Sequence, residues 1–127
     1  MTTVRKYGTP PWCAAAIHGG PGAPGSAAGL ARGLAAATGA GVLEPFQSKR
    51  TIRALVEELY AQLAAESAGF VVLAGHSWGA WLAALFAQKY PEKVGKLILI
   101  SCAPLTEVCV PKIAARRMAR LGEKERM

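Results

Sequence analysis

The apolar positions fall into two kinds of pattern. Ile52, Leu55, Val56, Leu59, Tyr60 and Leu63 recur at i, i+3, i+4 and i+7, the stripe of a helix laid on a core, starting at about Thr51 and closed by Gly69. Leu30 and Leu34 share one face of a shorter helix over about 27–37, with Ser26 placed to cap it and Gly39 to end it. A third helix, Trp81 to Lys89, turns Trp81, Leu82, Leu85 and Phe86 inward and stops at Tyr90-Pro91. The other pattern is the short continuous apolar run. Trp12 to Ile17, Phe70 to Ala74 and Leu97 to Ile100 are of strand length, the last typical of a parallel strand covered on both faces. Gly41 to Phe46 reads as a fourth strand cut by Pro45. Residues 1–11 are polar and broken by Thr9-Pro10-Pro11, which predicts an extended lead-in and no strand. Pro111 to Arg120 reads as a basic amphipathic helix anchored by Ile113, Met118 and Leu121.

Strands alternating with crossover helices predict an α/β fold: a parallel sheet of about four strands with helices on both faces, a three-layer sandwich. The division expected is a lead-in at 1–11, a core at 12–103 and a further helical segment at 104–127. The 127 residues suit one domain, and no apolar run approaches the roughly 20 residues that span a bilayer. The N-terminus has no apolar stretch of a secretory signal, so the expected location is the cytoplasm. Cys13, Cys102 and Cys109 are odd in number and lack ligand spacing; they are expected as reduced thiols, Cys13 in a core strand and Cys102 a buried structural thiol, with no metal site. The net charge of +7 concentrates at Lys112, Arg116, Arg117, Arg120, Lys124 and Arg126, a pattern of a solvated helix that argues against a nucleic-acid site.

The chemistry concentrates in two glycine-rich turns. Gly75-His76-Ser77-Trp78-Gly79 lies between an apolar strand and a helix, which places a serine hydroxyl on a sharp turn above the carboxyl edge of the sheet. Its glycines remove the Cβ atoms that would keep strand and helix apart. His18-Gly19-Gly20-Pro21-Gly22 follows the first apolar run, and a loop of this kind offers backbone N–H groups to a developing negative charge. Together and in this order the two motifs resemble the α/β-hydrolase superfamily, in particular the HGGPG branch of proline-iminopeptidase-like peptidases and related esterases.

The resemblance covers about residues 12–121 and implies a shortened version of that fold. In the family's strand numbering the order is 4-3-5-6, which leaves the strands at 42–46 and 97–100 at the edges. It implies Ser77 as nucleophile, an oxyanion hole made by the N–H of Trp78 and one from Gly19-Gly20, no cofactor, and an ester, amide or peptide as substrate. The segment after Ser101 is similar to the start of the lid helices. Trp78 and Trp81 are packing residues, Trp78 also a wall of a pocket. His76 points away from the reaction.

The departures concern the general base. The family order is Ser, then Asp or Glu, then His, yet this chain has no histidine after Ser77 and no aspartate; its two histidines are His18 and His76. Glu44-Pro45-Phe46-Gln47-Ser48 stands where the family has Asp-x-Arg-Gly, and the family's first two strands are expected to be missing. Glu107 is a candidate acid or else a lid-surface carboxylate. His18 is a candidate surrogate base or else a brace of its loop by a side-chain hydrogen bond. Three expectations follow: a serine hydrolase of little turnover alone, a non-catalytic binding or assembly module, or an incomplete gene product. Open sheet edges add an expected homodimer or complementing chain.

Overall fold

Five strands in the order β1-β3-β2-β4-β5 form the sheet of the computed structural model, which describes residues 3–20 and 23–102. They are β1 (Val4–Tyr7), β2 (Trp12–Ile17), β3 (Gly41–Pro45), β4 (Val71–His76) and β5 (Val94–Ile100), linked by the helices α1 (Ala28–Thr38), α2 (Ile52–Glu66) and α3 (Trp78–Lys89). β2 pairs in parallel with β3 and β4, and β4 in parallel with β5. The expected order of the four parallel strands is the observed one.

Period-two alternation sends the side chains of β2 to opposite faces, and each face builds its own core. Ala15 and Ile17 join Leu43, Leu73, Leu55, Leu59, Leu63, Leu82 and Phe86 under α2 and α3. Ala14 and Ala16 join Val42, Ala27 and Ala31 under α1, with Leu30 and Leu34 at the margin. The second layer is built mostly of alanine, so α1 packs with little side chain between helix and sheet. The first carries the larger residues, and removing one of its leucines to alanine costs about 2–5 kcal/mol.

The segment expected to hold no strand holds β1. It adds antiparallel to β3, pairing Val4 with Pro45, Arg5 with Glu44, Lys6 with Leu43 and Tyr7 with Val42. Thr9-Pro10-Pro11 falls after the strand, in the link to β2, so the prolines cost the ladder nothing. β1 rather than β3 is therefore the edge on that side. Its charges are partnered: Arg5 Nε lies 3.3 Å from Glu44, and Lys6 Nζ 2.9 Å from Glu66. Arg5 also sits 4.9 Å over the ring of Phe46. Basic residues on an edge strand oppose its pairing with another chain.

Three smaller expectations are also corrected. Ala27, not Ser26, is the cap of α1 and offers no side-chain bond, while Gly39 ends the helix in the left-handed conformation with its N–H on the Ala35 carbonyl. Cys13 is in β2 but exposed, at the point where the register with β3 shifts between Trp12 and Ala14. β5 is not covered on both faces: Leu97 and Leu99, two residues apart and so on one face, remain 36% and 37% exposed. The cap of α2 is Thr51, whose side chain accepts the N–H of Ala54 at 3.1 Å. The helix leaves regular geometry at Ser67, two residues before Gly69. Glu107 and the helix expected at 111–120 lie outside the described residues.

Candidate active site

Ser77 stands between the last residue of β4 and the first of α3, with φ 57° and ψ −118°. A non-glycine residue with such a backbone is strained by about 1–3 kcal/mol and persists only where its surroundings determine it. Here they do. The Ser77 N–H donates to the Ile100 carbonyl of β5 at 3.0 Å, and the Ser77 carbonyl accepts the N–H of Ala80 at 3.0 Å. The serine itself is exposed.

The two elbow glycines are required by contact and not by φ. A Cβ on Gly75 would lie 2.2 Å from the Gly79 carbonyl oxygen, and one on Gly79 would lie 2.2 Å from the carbonyl oxygen of Ile17. Strand β4, helix α3 and the end of β2 therefore meet backbone to backbone. The loop after β2 is pressed against the same turn: a Cβ on Gly19 would sit 3.3 Å from the His76 carbonyl oxygen and 3.4 Å from the Ser77 Cβ. Gly20, at φ 112°, takes a turn that L side chains rarely adopt. Ser77, Trp78, Gly19 and Gly20 are thus brought to one place. Trp78 is the first residue of α3, at the helix end where backbone N–H groups lack partners one turn back in the helix.

His18 is fully buried beneath this loop. Its Nδ1 lies 2.7 Å from the Gly19 carbonyl oxygen, and its Nε2 accepts the backbone N–H of Gln47 at 2.9 Å. Both contacts are satisfied by the tautomer that carries its proton on Nδ1. His76, the other histidine, is exposed.

Gln47, which the sequence pattern did not single out, joins the two turns. Its side-chain Nε2 donates to the His18 carbonyl at 2.8 Å, and its Oε1 accepts the indole N–H of Trp78 at 2.9 Å. The loop carrying Gln47 is held in turn by two buried polar residues of α2. Glu58 accepts the Ser48 N–H at 2.9 Å and also the Ser48 hydroxyl, and Gln62 donates to the Phe46 carbonyl at 2.9 Å. The one available signal was position: a polar residue directly after a strand that ends at the reactive edge of the sheet.

Beside Ser77 lies a cavity of about 550 Å³ lined by Ile52, Ser77, Trp78, Trp81 and Leu85. Trp78 thus borders open space as well as packing against the core, and Trp81 lines the same space. Among the described residues no three His, Cys, Asp or Glu side chains cluster as a metal site would require. No described helix is long and apolar enough to cross a membrane.

Solved structures share this fold at low identity. VinJ matches 98% of this chain and 48% of its own at TM-score 0.78 and 23% identity. The thioesterase domain from the curacin biosynthetic pathway matches 96% and 49% at TM-score 0.70 and 19% identity. A thermophilic esterase from Thermogutta terrifontis matches 95% and 49% at TM-score 0.67 and 22% identity. The chain spans about half the length of these structures. No curated protein is significantly similar to it in sequence. The sequence profile of the alpha/beta hydrolase fold matches residues 16–120, and with that match and this topology the chain belongs to the α/β-hydrolase fold family.

Proposed function

We propose that the chain carries the nucleophile and oxyanion half of a serine hydrolase site acting on an ester, amide or peptide bond. The observation that carries this reading is the backbone of Ser77, held at φ 57° and ψ −118° on the β4–α3 turn with the Gly19 loop against its Cβ. In the reaction the Ser77 hydroxyl attacks a carbonyl carbon, its proton passes to a base, and the carbonyl oxygen becomes an oxyanion. The N–H of Trp78 and one from Gly19-Gly20 stabilise that charge without reorganising, because helix and loop are already fixed. Collapse expels the leaving group, and water then releases the acyl group from Ser77.

The proton acceptor sets the rate. His18 is committed to bracing the loop through both ring nitrogens and is assigned no base role; His76 is not assigned one either. Without a base, turnover falls by orders of magnitude and only oxyanion stabilisation and binding remain. Glu107 remains a candidate acid that acts only beside an imidazole. Incubation with a fluorophosphonate probe and a p-nitrophenyl acetate assay test the reading. Slow labelling confined to Ser77 and abolished by Ser77→Ala is expected; brisk Ser77-dependent turnover would show that a base is present after all.

The engagement of His18 also favours a second reading, a binding or assembly module on the same fold. Complete absence of labelling at Ser77, with a folded protein, would select it.

A further inference from the structure

Among the described residues a positive φ falls on four glycines and on two serines, Ser77 at 57° and Ser101 at 50°. The two serines are neighbours. β4 and β5 run in parallel with His76 paired to Ile100, so each serine is the first residue past the last pair, side by side at the carboxyl edge. Glycine adopts this backbone without steric cost, whereas a serine held there is strained and persists only where its surroundings determine it. One bond connects the two turns. The Ser77 N–H donates to the Ile100 carbonyl at 3.0 Å, as the last rung between the strands. That carbonyl belongs to the planar peptide unit whose nitrogen is that of Ser101, so its direction depends on ψ of Ile100 and φ of Ser101 together. Carrying Ser101 from 50° to the negative φ that most L residues adopt would swing that plane or the chain beyond it. The Ser77 carbonyl bonds forward into α3, to the N–H of Ala80 at 3.0 Å, while the Ser77 N–H bonds sideways into β5. The bond to Ile100 is therefore what ties the strained Ser77 turn to the neighbouring strand.

We propose that Ser101 is a positioning residue for Ser77: its left-handed backbone holds the Ile100 carbonyl on the Ser77 N–H and so keeps the Ser77 turn in its reactive form. The inference rests on the reading of Ser77 as the nucleophile. It assigns the role to the backbone of Ser101 and not to its side chain.

Substitutions at position 101 of the full chain separate backbone from side chain. Ser101→Gly and Ser101→Asn, residue types that tolerate the left-handed region, are expected to retain the rate of fluorophosphonate labelling at Ser77 within about twofold. Ser101→Val, whose branched Cβ disfavours that region, is expected to label at least about tenfold more slowly, with Ser101→Ala between. Rates are compared per folded molecule, so a loss of stability alone does not give this order. A second measurement needs no reaction. Because Ser101 acts through the Ser77 turn, relaxing that turn with Ser77→Gly should roughly halve the fall in urea midpoint that Ser101→Val causes. Ser101→Ala serves in both measurements should the valine variant not fold. Labelling lost as fully in the glycine and asparagine variants as in the valine variant, labelling unaltered by valine, or strictly additive midpoints would each overturn the proposal. A wild type that is folded but unlabelled would instead sink the nucleophile reading, and the midpoints then decide whether Ser101 holds the Ser77 turn.

Discussion

Ser77 adopts a backbone that glycine takes at no steric cost, so the residue that matters most for the proposed chemistry is also a point of stored strain. Ser77→Gly is expected to raise stability by about 1 kcal/mol while abolishing fluorophosphonate labelling, whereas Ser77→Ala abolishes labelling with no gain. Urea denaturation of the three proteins checks this; a Gly variant less stable than the Ala variant would show the turn to be unstrained. Gln47 poses a different question, because its two side-chain bonds use both ends of the amide. Gln47→Glu keeps an acceptor for the Trp78 indole but sets a carboxylate oxygen against the His18 carbonyl at the former 2.8 Å contact. A loss of about 1–3 kcal/mol is expected, with Trp78 emission little changed. Gln47→Leu should lose comparable stability and shift that emission as well. The elbow was legible from sequence because its spacing is local. Gln47 was not, since its partners lie 29 and 31 residues away and only the folded sheet brings them together.

At the scale of elements, hydrophobic period found α1, α2, α3 and the four parallel strands, since each buries a face or a whole run. β1 escaped it. Its four residues, Val4–Tyr7, are half basic, and their reason to be a strand lies across the sheet in β3, where Glu44 receives both Arg5 and the Tyr7 hydroxyl, the latter at 2.7 Å. The same non-local logic placed Glu58 and Gln62 on the buried side of α2, where they hold the Phe46–Ser48 loop. The Tyr7 phenol gives β1 a measurable signature. Burial, and then the bond to Glu44, raise its pKa above the ordinary 10.0. An unfolded tyrosine ionises near that ordinary value and the folded one above it. The stabilisation is therefore complete below about pH 10 and is lost as pH rises through the folded pKa. Urea midpoints at about pH 8 and about pH 11 should fall further in the wild type than in Tyr7→Phe. Equal falls would mean that Tyr7 does not couple β1 to β3.

For the whole molecule, the order of the sheet sets which strand edges another chain could reach. β1 closes one side with partnered basic residues, so the β3 edge anticipated from sequence is not open. β5 is the other edge: seven residues of Val-Gly-Lys-Leu-Ile-Leu-Ile, paired with β4 on one side only among the described residues. Leu97 and Leu99 are more than a third exposed there, and Phe70, which packs against Gly95 at the start of the strand, is 70% exposed. Unpaired N–H and C=O groups beside exposed apolar side chains are a template for strand addition. Against that stands the net charge of +7, which repels a second copy at low salt. The balance predicts self-association through β5 that strengthens as salt is added, opposite in sign to an association driven by ion pairs. Light scattering across a concentration series at low and high salt should show a mass above that of one chain at high salt. Leu97→Lys with Leu99→Lys should return it to the monomer mass, because the introduced ammonium groups would have to be desolvated for the edges to pair. A wild-type monomer at high concentration and high salt would show that β5 is not an association edge.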